Sequence, residues 1–146
     1  AASELFAESG ANGLSVRAIS KRAGLSTIGI YNHFNGKQGI LDALYIEGFE
    51  LVMAAIDLDL GIMSPRDAVL QGLANYIDLA AQNRGHYELI FGRGDPTYKP
   101  SSTAITVGEK AFNRLTRLVA QALPETLSGR QKREAALQRG ALAHQP

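Results

Sequence analysis

Between Ser15 and Lys37 the chain reads SVRAISKRAGLSTIGIYNHFNGK, a stretch that holds Arg17, Lys21, Arg22 and Lys37 and no acidic residue. Guanidinium, ammonium, hydroxyl and amide groups at this density are the donors that grip phosphate oxygens and read base edges. Acids flank the window at Glu4, Glu8, Asp42, Glu47 and Glu50, so the net charge of +1 over 146 residues conceals a segregated distribution. A solvated helix face carries the same charges, and spacing is what separates the two readings. Ser15 is placed to cap a helix that turns Val16, Ile19, Ser20 and Ala23 inward; Gly24 supplies the freedom of a tight turn, and Leu25 is expected to drop into the core behind it. Ser26 or Thr27 then caps a second short helix. There Ile30 and Phe34 stand four apart on one face, while Thr27, Gly29, Tyr31, Asn32 and His33 point elsewhere. Helix, glycine turn and second helix form the layout of a helix-turn-helix whose second element enters the major groove.

Other chemistries find no constellation. His33, His86 and His144 are far apart with no His-Glu-x-x-His or acidic ligand spacing, which argues against a metal site. Asp57 and Asp59, two apart on what reads as a helix, would face different sides and form no carboxylate pair. Gly92 and Gly94 lack the third glycine and the preceding strand of a dinucleotide loop, and Arg93-Gly94-Asp95 reads as a turn. The expectation is a protein that is not an enzyme and uses no cofactor. Zero cysteines exclude disulfides and thiolate metal ligands and agree with a reducing cytoplasm. Apolar stretches break well short of the roughly 20 residues a membrane span requires, so a soluble chain without a membrane partner is expected.

The elements that must position the motif all read as helices. A first helix over residues 1–9 turns Leu5 and Phe6 inward and ends at Gly10 and Gly13. Asn35 with Gln38 has the capping-box pattern for a connecting helix whose inner face is Leu41, Leu44, Gly48, Leu51, Val52 and Ala55. Ser64-Pro65 opens another, with Val69, Leu73, Tyr76, Ile77 and Ala80 as its apolar face. A short apolar helix from His86 to Phe91 precedes a loop through residue 102. A long helix then occupies about Thr103 to Leu123, with Phe112, Leu115, Leu118, Val119 and Ala122 in register, until Pro124 stops it. A late basic cluster, Lys110, Arg114, Arg117, Arg130, Lys132 and Arg133, reads as solvated helix surface. With no alternating run the class is all-α: an N-terminal three-helix helix-turn-helix domain, residues 1–46, and a C-terminal helical effector-binding and dimerisation bundle, residues 47–146. Phe49, Met53, Tyr76, Tyr87, Phe91 and Phe112 are the candidates to line an effector pocket, against the alternative that they simply fill the core.

The order A-x-x-L-F, G-x-x-x-x-S-V-R-x-I-x-x-x-A-G-L-S, I-Y-N-H-F-x-G-K, from Ala2 to Lys37, resembles the DNA-binding domain of the TetR family of transcriptional regulators. From Tyr76 to His144 the chain is similar to the branch with a Trp-His-Gly signature, although A-L-A-H here has neither Trp nor Gly. The resemblance implies a cytoplasmic homodimer, a repressor that binds a near-palindromic double-stranded DNA operator and leaves it when a small-molecule effector binds. On that reading Ser15, Arg17, Tyr31, His33 and Lys37 hold phosphates. Ser26 and Thr27 lie at the start of the groove helix, Asn32 reads a base, and Gly29 allows close approach. It also implies a chain incomplete at both ends; the connecting helix, which begins beside DNA and runs into the second domain, is expected to pivot, with Gly48 as its soft point. A helix-turn-helix adaptor that binds a protein partner is the alternative, distinguished by a shallow salt dependence toward DNA.

Overall fold

In a computed structural model that describes residues 1–10, 14–123 and 129–143, eight helices follow one another: α1 (Ala2–Ser9), α2 (Val16–Ala23), α3 (Thr27–Phe34), α4 (Gly36–Ala55), α5 (Pro65–Gln82), α6 (Arg84–Ile90), α7 (Ser102–Gln121) and α8 (Gly129–Ala143). Serines open four of them. The hydroxyl oxygens of Ser15, Ser26, Ser64 and Ser101 accept the backbone N–H groups of Ala18, Gly29, Asp67 and Ala104 at 3.0, 3.0, 3.2 and 3.1 Å. Each bond satisfies a donor that a helix start leaves unpaired. The all-α expectation holds, and no helix among the described residues is long and apolar enough to cross a membrane. Gly13, Pro124 and His144, invoked above as helix stops and as part of a C-terminal signature, lie outside the described residues.

One core underlies the motif. Phe6, Leu14, Ile19, Ile30, Ile40, Leu41 and Leu44 pack with Leu89 of α6, so the head's interior is closed by a helix from the body. The spine is α4, which packs on α3, α5, α6 and α7 and runs unbroken across residues 46 and 47. Farther along it two smaller clusters form around Val52, Tyr76 and Ile90 and around Ile56, Ala68 and Leu118.

Several local expectations are corrected by packing. The inner face of α5 is Ala68, Gly72 and Tyr76, while Leu73 and Ile77 face outward. Small residues let α5 approach α7 closely: a Cβ on Gly72 would lie 3.2 Å from Leu118 Cδ2. Asn35 forms no capping box. It is left-handed, φ 61°, because it terminates α3 by donating its N–H to the Tyr31 carbonyl at 2.7 Å, and Gln38 instead donates to the Thr97 carbonyl at 3.3 Å. Asp57 and Asp59 fall in the loop after α4, where Asp59 accepts the Gly61 N–H at 2.8 Å.

Candidate nucleic-acid interface

The turn between α2 and α3 is built from α2 itself. Gly24 is left-handed, φ 68°, and its N–H and that of Leu25 both reach the Ser20 carbonyl, while the Ser20 hydroxyl donates to the Leu25 carbonyl. With both its backbone groups tied to Ser20, Leu25 leaves its side chain outside, 61% exposed, and Ala23 is exposed as well. Apolar character alone places both in the core, and the backbone geometry of the turn overrides it. The inward residues are Ile19 from α2 and Ile30 from α3, with Phe34 half-buried beside them.

On α3 the geometry of a helix makes Ile30 and Phe34 one line and puts Ile28 and Asn32 opposite it. Thr27, Gly29, Tyr31, Asn32 and His33 are all exposed, and so is Ile28, at 72% the most open side chain of the motif's large apolar residues. A Cβ at Gly29 would come within 3.1 Å of Ser26 Oγ, closer than ordinary contact, although Ala18, Asp67 and Ala104 carry side chains at the same position of the other serine caps. Tyr31 lays its ring over Gly36, whose φ is 80° and whose Cβ, were there one, would meet Cε2 at 2.9 Å. His33 stands edge-on to Phe34 at 4.6 Å.

Acids distant in sequence take two of the four cations. Arg22 donates two hydrogen bonds to Glu8 of α1, at 3.2 and 2.8 Å, a contact that lowers the Glu8 pKa and raises that of Arg22. Lys37 Nζ lies 3.3 Å from Asp95 in the loop after α6. Asp95 is held ionised below the usual carboxylate range first by the Thr97 hydroxyl and N–H and then by Lys37. Arg17 and Lys21 make no ion pair within the described residues, and the hydroxyls of Ser15 and Ser26 cap their helices.

Besides the Lys37–Asp95 and Gln38–Thr97 contacts, two further contacts fasten this head to the body, and neither was legible in the sequence. Asp42 of α4 accepts the Tyr98 hydroxyl at 2.8 Å, the Ser101 N–H at 2.9 Å and the Ser101 hydroxyl at 2.6 Å. Burial pushes its carboxyl up, but these three donors together hold it below its ordinary value. His86 of α6 is 2% exposed, edge-on to Phe6 of α1 at 5.1 Å, with Nε2 3.2 Å from a Glu47 oxygen that also accepts the Ser3 hydroxyl at 2.6 Å. Apart from this approach to Glu47, neither ring nitrogen has a hydrogen-bond partner among the described residues. Burial pushes the His86 pKa down, and Glu47 opposes it by less.

Of the residues expected around an effector, Phe49, Tyr76, Tyr87 and Phe91 do gather, packed on Val52 and Ile90 between α4, α5 and α6. Tyr76 and Tyr87 stand 6.2 Å apart, Tyr87 and Phe91 4.9 Å, and burial drives the Tyr76 hydroxyl pKa up. The cavity there, bordered also by His86 and Asn83, is only about 10 Å³, space for about one water. Met53 lies apart, on an open groove of about 280 Å³ with Arg114 and Arg117. Phe112 is 48% exposed and borders neither space, because α7 buries Ala104, Ala111 and Leu118 on its inner side. Among the described residues no cluster could hold a metal ion.

A capped short helix presented outward after a glycine turn, on a three-helix head carried by a long spine, defines a helix-turn-helix fold. Residues 1–44 match the family model for bacterial regulatory proteins of the tetR family. Over 89 residues the chain is 34% identical to an uncharacterized HTH-type transcriptional regulator, YobS, of Bacillus subtilis, covering 60% of this chain and 46% of that relative, so it spans about half the length of the curated relative it matches. Among solved structures it is similar to a protein of unknown function from Rhodococcus sp. RHA1, with TM-score 0.76, 26% identity and coverage of 98% of this chain and 75% of that one. It shares its fold with the TetR family transcriptional regulator PfmR of Thermus thermophilus, with TM-score 0.71, 18% identity and coverage of 97% and 79%. The match to the tetR family model thus covers the head, residues 1–44, and the likeness of the whole chain to PfmR is one of fold.

Proposed function

We propose that this chain is a ligand-responsive repressor that binds a near-palindromic operator as a homodimer and leaves it when a small molecule binds the body. Residues 1–46 act as the reading head and residues 47–146 as the effector-binding and dimerising body. The observation that carries the reading is α3: its inner line, Ile30 and Phe34, is covered, while Thr27, Gly29, Tyr31, Asn32 and His33 stand free on the outside of a helix capped by Ser26. Asn32 faces directly away from the core, where its amide matches N6 and N7 of adenine. Ser15, Arg17, Tyr31, His33 and Lys37 serve phosphates, which set register and affinity.

The effector site is the cluster of Phe49, Tyr76, Tyr87 and Phe91. The cavity of about 10 Å³ beside it, which Tyr76 and Tyr87 line and Phe49 and Phe91 do not, holds no metabolite as it stands, so a ligand must part α4, α5 and α6. The parted state is then the one the ligand selects, and operator release follows if that state holds α1 and α4 differently. Leu89 and His86 of α6 lie in and against the head's core, which supports a direct mechanical path. The test is a binding screen against the duplex upstream of the chain's own gene, with and without metabolite pools. Specific binding relieved by a pool supports the reading. Binding with no steep salt dependence would instead favour a protein partner.

A further inference from the structure

We propose that Ile28 reads sequence, by apolar contact with the 5-methyl group of a thymine one helical turn ahead of the base read by Asn32. The inference rests on α3 being the groove helix. Ile28 and Asn32 are four apart on the line opposite Ile30 and Phe34, so both point straight out of the head. A single exposed apolar residue is ordinary on a protein surface, but here Leu25, just before α3, and Ile28 and Tyr31 on it are 61%, 72% and 57% exposed. Val16, Thr27, Ile28, Tyr31 and Asn32 together wall an open depression of about 270 Å³. A contiguous apolar patch of this kind marks a surface that something covers.

Chemistry selects what covers it. In the major groove only thymine offers a methyl group, and apolar side chains are what recognise it. Residues in the first turns of a recognition helix reach the base edges, and Ile28 is the second residue of α3. Its β-branched side chain is stiff, so little freedom is lost on contact. The preceding helix carries Arg17 and Lys21 without ion-pair partners among the described residues, which suits a polyanion better than an apolar protein surface. Four residues of helix advance about 6 Å, roughly two base steps of 3.4 Å. The thymine therefore lies within about two base pairs of the adenine that Asn32 contacts.

The test replaces single thymines by deoxyuridine, which keeps every hydrogen bond and removes only the methyl. An operator is first selected from random duplexes, and each thymine is then substituted in turn. Wild type should lose roughly fourfold in affinity at one thymine per half-site, the effect of one methyl group. Ile28→Ala, at a solvent-exposed position where the melting temperature should not move, should bind the thymine operator more weakly by a similar factor and ignore that deoxyuridine. Indifference of the wild type to every substitution, or an equal response from wild type and Ile28→Ala, would overturn the assignment to Ile28 while leaving DNA binding intact. Failure to select any duplex would overturn the groove helix itself.

Discussion

Lys37 stands 3.3 Å from Asp95 and is also the ammonium assigned to a DNA phosphate, so the two anions compete for it. Lys37→Ala removes one phosphate contact, and the slope of log K against log salt should become shallower by about 0.9. Between 50 and 200 mM salt, a fourfold change, the variant should then lose about 3.5-fold less affinity than the wild type. Asp95→Asn is the complementary change. It keeps Oδ1 as acceptor for the Thr97 N–H and hydroxyl, at 2.8 and 2.6 Å, but deletes the charge that holds Lys37 back. A surface pair of this kind, its lysine exposed and its aspartate half-buried, contributes about 0.2–1 kcal/mol, so Asp95→Asn should tighten binding roughly 1.4- to 5-fold on any sequence. With Lys37→Ala already in place it should do nothing. Fluorescence anisotropy of a labelled duplex across a salt series reads all four proteins. An unchanged slope in Lys37→Ala, or the same gain from Asp95→Asn without Lys37, would refute the reasoning.

Asn32→Ala should weaken the best operator by about 1–3 kcal/mol and relax preference at one base pair per half-site; equal loss on scrambled duplex would make Asn32 a backbone contact. Gly48→Ala places a Cβ 2.9 Å from Ile90 Cγ2, and overpacking of about 1–3 kcal/mol should exceed the roughly 1 kcal/mol gained in helix propensity. Ile90→Leu, which lacks that methyl, should relieve the loss in a double-mutant cycle of urea midpoints, and additive effects would contradict the contact. Because burial holds folded His86 below 6.5, the unfolded chain takes up that proton first. Stability is therefore full above about pH 6.5 and declines as pH falls below it. His86→Leu should flatten the decline between pH 7.5 and 5.5, and an unaltered decline would show that other groups cause it.

What the sequence made legible was local. Ser15, Ser26 and Ser64 cap, and Gly24 turns, because those properties belong to a residue and its next few neighbours. What it withheld was set by partners far along the chain. Arg22 and Lys37 looked free until Glu8 and Asp95 folded against them, and His86 gave no hint in sequence that α1 would bury it. Apolar character, a sound guide at Ile19, Ile30, Leu41 and Val52, misled at Leu25, Leu73, Ile77 and Phe112, which face outward. On α5 the decisive residue was Gly72, whose missing side chain turns the face that α7 can approach. Gly48, read as a soft point, is seated against Ile90 and His86 inside an unbroken α4. Ile28 went unread because the period of Ile30 and Phe34 excludes it from the core, and an apolar residue outside the core carried no role until its exposure was seen.

The central claim is that two copies of α3 enter successive major grooves of one operator. Hydroxyl-radical footprinting on a duplex selected from random sequence tests it most directly. The account predicts two protected patches on one face of the DNA, centred about 34–36 Å apart or modestly more, both weakened together by Asn32→Ala at concentrations that just saturate the wild type. A single patch protected at full affinity, or a footprint that does not depend on sequence, would contradict it.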